Sequence, residues 1–282
     1  MPDGSSASGD TAIPTYLERW ALKPVEPPIQ TPSSTLVFVQ RHDGTNAVLK
    51  IFKPVSDEAR GADALRHFGA LGAVRVLEHA ADSVLLERLV PGTALSSLVY
   101  ARRDDEATAI FCDIVNTIHR PELPTEAYPT IEDWGQGFAW YRNSGDSRLP
   151  ASIIERAEAT FVELASSQGS RLLLHGDLHH DNILHDERLG WRAIDPKGVI
   201  GEAAYETGAM LRNPGEDPAI YADATVIDRR VSIITERLGL DRRRILAWNF
   251  AQIVLSQIWM IQDGYDLSPG AFQIIETFAK LA

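Results

Sequence analysis

Hydrophobic residues follow two different spacings along the chain, with a change near residue 90. Residues 35–53 contain two β-rich apolar runs around Asp43 and Gly44, a pair typical of a tight turn between antiparallel strands. Residues 56–72 have an acidic start and Ala and Leu at helical spacing, and residues 74–89 have the pattern of strand, turn and strand. We therefore expect a small antiparallel sheet with one inserted helix over residues 15–90.

The pattern becomes mainly helical after Pro91 and Gly92, which end the last of these strands. Helical spacing is clearest in four segments: 104–119, 151–168, 221–238 and 241–263. Two short apolar strands, near 172–174 and 191–194, interrupt this series. The sequence thus predicts an α+β fold with a β-rich N-lobe (15–90) and a mostly α-helical C-lobe (91–282). Residues 1–14, rich in Gly, Ser, Asp and Pro, are expected to form a disordered tail.

Composition narrows the class of protein. Hydrophobic residues make up 44% and charged residues 23%, and no apolar run approaches the roughly 18 residues of a membrane span. Cys112 is the only cysteine, which excludes disulfide bonds and cysteine-rich zinc sites. The N-terminus has no pattern of a secretory signal, so we expect a cytoplasmic protein with no membrane partner. A net charge of −12 argues against a nucleic-acid partner and mildly favours a cationic one.

A polar cluster follows the apolar run 172–174, at a point where a core would be expected to continue. Asp177 and Asn182 are five positions apart, and Asp195 stands thirteen positions beyond Asn182, after another apolar run. Carboxylate and amide oxygens on neighbouring loops suit Mg²⁺, which prefers oxygen ligands together with substrate phosphates. Lys50 lies mid-strand among apolar neighbours, where an ammonium group costs desolvation unless an anion meets it.

The motifs "HGDLHHDN" (175–182), "AIDPKG" (193–198) and the strand lysine of "VLKIF" (48–52) resemble the aminoglycoside phosphotransferases, relatives of protein kinases. Within that family, "IDPKG", "YETGAMLRNP" and "GADALRHFGALGAVRVLEH" are most similar to the streptomycin 6-phosphotransferase branch, also described as aminoglycoside/hydroxyurea antibiotic resistance kinases. The resemblance covers roughly residues 30–265. It implies a bilobal protein-kinase-like fold and the use of ATP and Mg²⁺.

The resemblance also implies roles for individual residues. Asp177 would accept or orient the proton of the attacking hydroxyl, and Asn182 and Asp195 would hold Mg²⁺. Lys50 would bind the α- and β-phosphates. His179, two residues after the catalytic base, would contact the transferred phosphoryl group or the acceptor. His175 is expected to be structural, while His180 and His185 have the pattern of ordinary surface histidines.

Further nucleotide-binding residues are predicted in less specific segments. Glu58 is a candidate to pair with Lys50, although the eight-residue separation is short and Glu58 can equally serve as a charge at a helix N-terminus. Ser33 and Ser34 stand where kinases have a glycine-rich phosphate loop, and the alternative is a plain turn before a strand. The backbone of two hinge residues is expected to meet the adenine, and Lys197 is expected to neutralise phosphate or support Asp195. The hinge residues are Glu87 and Leu89.

An acceptor with several ammonium or guanidinium groups requires carboxylates in its cleft. Glu206 is the first candidate, followed by Glu202 and Asp217. Trp134 and Trp259 are candidates to cover a sugar or guanidinium face. For each of these residues, solvated surface or core packing remains the alternative.

These residues leave two classes of function open. The first is an ATP-dependent kinase for an alcohol group of an aminoglycoside, or of another small molecule such as hydroxyurea, choline, a fructosamine or a homoserine-like alcohol. The second is a kinase-like protein that binds nucleotide or ligand without turnover. Because Lys50, Asp177, Asn182 and Asp195 are all present, the sequence favours the first. A protein-kinase role is disfavoured, since no long activation segment follows Asp195.

Overall fold

The computed structural model describes residues 7–54, 58–215 and 217–282. Its strands are β1 (Lys23–Pro24), β2 (Ile29–Gln30), β3 (Ser34–Gln40), β4 (Asn46–Phe52), β5 (Val76–Ala80), β6 (Ser83–Glu87), β7 (Pro91–Ala94), β8 (Arg171–Leu174), β9 (Ile183–Asp186), β10 (Gly190–Ala193) and β11 (Val199–Glu202). Its α-helices are α1 (Ala7–Arg19), α2 (Glu58–Phe68), α3 (Ser96–Tyr100), α4 (Asp104–Ile118), α5 (Ile131–Ser144), α6 (Ala151–Ser166), α7 (Thr207–Leu211), α8 (Pro218–Tyr221), α9 (Ala224–Leu238), α10 (Arg242–Gln262) and α11 (Ala271–Leu281).

The chain forms two compact units, each built from two stretches of sequence. The first contains residues up to 93 together with 184–197, and the second contains 94–183 with 198–282. The predicted change near residue 90 lies close to the first boundary. The return of 184–197 to the first unit has no counterpart in the sequence prediction. It follows from strand pairing, because β9 lies between β7 and β10 in a three-stranded sheet.

An antiparallel sheet forms the larger part of the first unit, with strand order β1-β3-β4-β6-β5 and β2 paired to β3. The hairpin β3–β4 turns at Asp43 and Gly44, as predicted, and Gly44 has the positive φ of 82° that such a turn favours. The antiparallel sheet here and the predominance of helices in the second unit confirm the predicted α+β class.

Helix α1 includes residues 7–14, which the sequence predicts as part of a loose tail; residues 1–6 lie outside the described residues. Ala12 and Ile13 pack against a buried cluster that contains Tyr16 and residues of β3 and β4. The Tyr16 hydroxyl also donates a hydrogen bond to Asp82. Burial of this apolar face stabilises the segment by about 25 cal/mol per Å². The Gly and Ser content of the N-terminus gave no indication of this packing.

Helix α10 is the centre of the second unit. Its residues are buried on nearly all sides, as expected of a core helix, and α5, α6, α7, α9 and α11 all contact it. Helices α4, α6, α9 and α10 lie within a few residues of the predicted segments, whereas α5 and α11 are additional. None of the helices in the described ranges has both the length and the hydropathy that a bilayer span requires.

Candidate active site

A cavity of about 320 Å³ lies within the first unit. This volume is at the lower end of the range for small-molecule sites. Its walls are mainly apolar, and they come from β3, β4, α2 and β6, from the segment 89–92, and from Leu184 and residues 194–196. Charged groups are contributed by Lys50, Glu58 and Asp195, together with Glu87 and Arg88. The cavity therefore combines an apolar surface with a cationic group held between two carboxylates.

Lys50 projects from the middle of the sheet. It pairs with Leu36 of β3 on one side and Val84 of β6 on the other, so β4 is not an edge strand. Lys50 therefore does not have the role of an edge-strand lysine that discourages aggregation. The Nζ atom lies 2.5 Å from Glu58 Oε2 and 2.5 Å from Asp195 Oδ1. Burial opposes its charge, but the two carboxylates more than compensate and raise the pKa of Lys50.

Asp195, two residues after β10, occupies an unusual backbone conformation. Its φ of 59° lies in the left-handed region, which is uncommon for residues other than glycine and is found at functional sites. One carboxylate oxygen contacts Lys50, and the side chain remains 38% exposed. The carboxylate is thus held by the protein and still accessible.

Helix α2 approaches the segment after β10 closely enough to hold Glu58 at Lys50. A Cβ at Gly61 would lie 2.4 Å from the Pro196 carbonyl oxygen, so only glycine permits this contact. The Lys50–Glu58 pair, which the short sequence separation left open, is therefore present. Residues 55–57, which connect β4 to α2, lie outside the described residues.

The other predicted nucleotide contacts differ in their surroundings. Leu89 lines the cavity, and in the described ranges neither its N–H nor its carbonyl has a hydrogen-bond partner. Glu87 also lines the cavity, but its N–H donates to the Arg75 carbonyl and its carboxylate accepts from the Arg75 N–H.

The structure does not bring the predicted serines to the cavity. Ser34 is buried, and its hydroxyl lies 2.9 Å from that of Thr31, while the Ser33 carbonyl accepts from the Lys53 N–H. These contacts correspond to the turn that sequence analysis gave as the alternative. Lys197 is half-buried at the end of the first unit and is not part of the cavity wall.

The loop 175–182 of the second unit carries Asp177. It follows β8, whose Leu173 and Leu174 are buried and whose partner is β11. The Asp177 carboxylate is 31% exposed and lies 3.9 Å from His179 Nε2, which is too long for a hydrogen bond. His179 Nδ1 instead accepts from the Asp181 N–H at 3.2 Å. His179 therefore shapes the end of the loop.

Asn182 is oriented by the same loop. Its Nδ2 donates to the Asp177 carbonyl at 2.9 Å, which directs the amide oxygen away from that contact. An amide oxygen and the partly exposed carboxylate of Asp195 are donors of the kind that Mg²⁺ prefers. The residues present therefore fit the predicted metal, each within its own unit.

Glu206 is not an acceptor-binding residue, because its carboxylate is fully buried and engaged by protein groups. It accepts hydrogen bonds from the N–H groups of His175 and Gly176 at 2.7 and 2.9 Å, and its Oε2 lies 3.1 Å from His119 Nε2. Sequence analysis missed His119, which follows α4. The prediction that Glu206 binds the acceptor is wrong, because backbone N–H groups of the protein already bind both oxygens of its carboxylate.

Comparison with known proteins identifies the family. The model of the aminoglycoside/hydroxyurea antibiotic resistance kinases matches residues 19–264. Streptomycin 6-kinase of Streptomyces griseus is 32% identical over 271 residues, which cover 94% of this chain and 87% of that protein. The chain belongs to the aminoglycoside/hydroxyurea antibiotic resistance kinase family.

Two further similarities of this kinase-family chain are to a second relative in the same family and to a solved structure. Hydroxyurea phosphotransferase of Kitasatospora aureofaciens is 32% identical over 260 residues, covering 89% of this chain and 73% of that protein. A crystal structure of a thermostable mutant of aminoglycoside phosphotransferase APH(4)-Ia, in ternary complex with ADP and hygromycin B, has a TM-score of 0.62 and 16% identity, covering 95% of each chain. The latter shows that the fold is that of the kinase-like aminoglycoside phosphotransferases.

Two more predicted acceptor carboxylates of this family member have structural roles. Glu202 is buried, and its Oε1 accepts from Arg244 Nε at 2.6 Å and from the Trp248 indole N–H. Asp217 is exposed, but it accepts from the Ala219 N–H and begins α8. The assignment of Glu202 to the acceptor site therefore needs correction, since its ion pair and indole contact account for its side chain. The helix-capping contact of Asp217 leaves its side chain exposed, so its assignment stays a prediction.

Two residues in or near the histidine-rich loop 175–182 differ from the expectations of the sequence analysis. His180, expected at the surface, is fully buried, and burial lowers its pKa well below the usual value. Arg212 was missed, although it lies in the quoted segment "YETGAMLRNP". Burial lowers the pKa of its guanidinium, and the charge of Asp177 opposes that effect. Arg212 is therefore close enough to Asp177 for their charges to interact.

Proposed function

We propose that this protein transfers the γ-phosphoryl group of ATP to a hydroxyl of an aminoglycoside of the streptomycin class. The observation that carries the proposal is the position of Lys50 at the cavity, between Glu58 and Asp195. A buried ammonium group flanked by an accessible carboxylate suits a polyphosphate with bound magnesium. Membership of the antibiotic resistance kinase family supports the same chemistry.

Nucleotide binding is assigned to the first unit. The apolar walls of the cavity would take the adenine, and the Leu89 N–H and carbonyl are suited to its hydrogen-bonding edge. Lys50 would bind the α- and β-phosphates as an ammonium ion, since its raised pKa keeps it protonated. Asp195 is the residue of this unit assigned to magnesium, which supplies positive charge against the phosphates. Asn182 is the residue of the second unit with that assignment.

Acceptor activation is assigned to the second unit. Asp177 would accept the proton of the acceptor hydroxyl. The hydroxyl oxygen of the acceptor forms a bond to the γ-phosphorus, and the bond between that phosphorus and the oxygen that bridges it to the β-phosphate breaks. ADP and a phosphate monoester are the products. His179 would contribute by holding the end of the loop, through its hydrogen bond from Asp181.

Hydroxyurea is a second candidate acceptor. The engagement of Glu202 and Glu206 by protein groups removes two of the three carboxylates expected to recognise a polycation. A small uncharged acceptor needs no such carboxylates, and a hydroxyurea phosphotransferase is among the 32% identical relatives. Choline, fructosamines and homoserine-like alcohols belong in the same panel as alternatives.

The test is an assay of ADP release with ATP, Mg²⁺ and each acceptor in turn, with the phosphorylated product identified by mass spectrometry. We expect turnover with streptomycin or hydroxyurea and a loss of about 10²–10⁴-fold in Asp177→Asn, since general-base catalysis contributes that much. Asp223→Asn is the matched control, because Asp223 is a helix cap of α9 in the same unit. Nucleotide binding without turnover across the panel would show a binding protein and overturn the proposal.

A further inference from the structure

Another cavity of the first unit, of about 610 Å³, has no part in the reaction proposed above. Its walls come from the β3–β4 turn, the start of β5, residues 87–90 and the β9–β10 turn. We propose that this cavity is a binding site for a ligand that carries two or more phosphate groups. The inference goes beyond the proposed function, because Lys50, Glu58 and Asp195 do not line this cavity.

Four guanidinium groups from separate segments of the chain line the cavity, which we call the arginine cavity. They belong to Arg41, Arg75, Arg88 and Arg188. A guanidinium group has five N–H donors in a planar fork that fits two oxygens of a phosphate. The whole chain has a net charge of −12, but salt screens distant carboxylates beyond about 8 Å. The local set of groups therefore decides which ligand the cavity suits.

The protein itself uses few of these N–H donors. Arg41 Nη1 donates to Asp43 at 3.1 Å, whereas Arg75 Nε lies 3.7 Å from Glu87 Oε2, which is too long for a hydrogen bond. Among the described residues, the exposed guanidinium of Arg188 has no hydrogen-bond or ion-pair partner. The arginine cavity thus presents more donors than the chain satisfies.

The carboxylates at the same cavity are engaged mainly by the backbone. Asp186 is 4% exposed and accepts from three backbone N–H groups. Asp43 accepts from an N–H and a hydroxyl of its own turn, and Glu87 accepts from a backbone N–H. The fourth carboxylate, Glu187, is exposed. Acceptors for the remaining guanidinium donors would therefore come from solvent or from a ligand.

Arg88 is already held in place by two contacts. Its Nη2 donates to Glu26 at 2.7 Å, and its guanidinium carbon lies 4.4 Å from the centroid of the Phe38 ring. A side chain fixed before binding loses less conformational entropy when a ligand arrives. Arg88 and Phe38 also line the nucleotide cavity, so a test must distinguish binding at the two cavities.

The size of the arginine cavity suits a small molecule with more than one anionic group. Its 610 Å³ lies in the middle of the range for small-molecule sites. A phosphate group offers three acceptor oxygens and binds guanidinium groups in pairs of parallel hydrogen bonds. Two or more such groups are needed to reach arginines on separate segments. A free polyphosphate and a nucleoside diphosphate share this chemistry.

The experiment titrates inorganic tripolyphosphate into the full-length protein by calorimetry, with AMP-PNP and Mg²⁺ at saturation and salt at about 0.15 M. AMP-PNP fills the nucleotide cavity, so further binding reports another site. We expect one equivalent to bind, and Arg75→Gln and Arg188→Gln each to weaken binding about tenfold, because each removes hydrogen bonds between charged groups.

Arg66→Gln is the matched control. Its side chain is 59% exposed and lies 3.5 Å from Asp63 on α2, while that of Arg75 is 60% exposed and lies 3.7 Å from Glu87. The two substitutions therefore remove the same charge from similar surroundings, and only Arg75 lines the arginine cavity. We expect Arg66→Gln to change the dissociation constant less than about twofold.

ADP, titrated in the same way, distinguishes the two sources of phosphate. Tighter binding of ADP than of tripolyphosphate supports a nucleotide, and the reverse supports a free polyphosphate. Absence of saturable binding of both probes in the presence of AMP-PNP, or equal weakening by Arg66→Gln and Arg75→Gln, would overturn the proposal. If AMP-PNP itself does not bind, the proposed function loses its nucleotide site, and the comparison of Arg75→Gln with Arg66→Gln still decides this inference. Should Arg75→Gln fail to fold, Arg188→Gln against the same control decides it.

Discussion

Replacement of Lys50 by Met removes the cation that Glu58 and Asp195 share while keeping an unbranched side chain of similar length. Lys50 is 9% exposed and Glu58 is 6% exposed. The substitution therefore leaves the buried carboxylate of Glu58 without the positive charge of Lys50. Breaking a buried ion pair by removing one partner costs about 3–5 kcal/mol. Asp195 is more than a third exposed, and water screens it, so its share is small.

We therefore expect Lys50→Met to destabilise the protein by about 3 kcal/mol, at the lower end of that range. For a chain of this size such a loss lowers the melting temperature by about 6–12 °C. The double variant Lys50→Met with Glu58→Leu should recover part of the loss, because replacing both partners by apolar groups leaves no unpaired charge. Binding of a non-hydrolysable ATP analogue should weaken in both variants, since neither has the ammonium group.

Calorimetric unfolding and titration with AMP-PNP and Mg²⁺ measure the two effects. Lys53→Met is the control, since Lys53 follows the same strand but donates to the Thr31 carbonyl and does not line the cavity. The reasoning would be refuted if Lys50→Met melted within about 2 °C of wild type and bound AMP-PNP equally well. A shift that small corresponds to a loss of less than about 1 kcal/mol.

Two further predictions concern packing and pH in the first unit. Gly61→Ala should destabilise by about 1–3 kcal/mol, because overpacking against the Pro196 carbonyl exceeds the gain of about 1 kcal/mol in helix propensity; stabilisation in urea unfolding would contradict the close approach. Burial opposes the charge of Asp186, but hydrogen bonds from the N–H groups of Val90, Arg188 and Leu189 hold its pKa below the usual value. A depressed folded-state pKa stabilises the protein above the unfolded-state value of about 3.9, and this contribution disappears as pH falls through the folded-state value. Asp186→Asn should thus be less stable than wild type at pH 7, and the difference in urea midpoint should narrow below about pH 4; a constant difference down to pH 3 would contradict this assignment.

The sequence predicted those features that depend on local spacing. The hairpin β3–β4, four long helices and the loop after β8 follow from apolar periodicity and turn residues near to one another in the chain. Lys50 and Asp195 could be singled out because polar residues at the ends or centres of apolar strands are costly without a partner.

The sequence could not assign the acceptor carboxylates, because their partners are distant in the chain. Glu206 meets N–H groups some thirty residues earlier, and Glu202 meets a helix some forty residues later. A carboxylate in a polar segment looks the same whether it faces solvent or a backbone amide. Helix α1 was missed for a related reason, since its apolar residues pack against residues of β3 and β4 that are distant in the sequence.

The route of the backbone between the two units constrains how the protein can be dissected. The chain changes unit after residues 93, 183 and 197, so cutting at a single linker cannot release an intact half. A fragment ending at residue 93 would lack β9, β10 and the carboxylate of Asp195, and Lys50 would retain only Glu58 of its two counter-ions. An isolated first unit would have to be engineered by joining 184–197 to residue 93 with a designed connection.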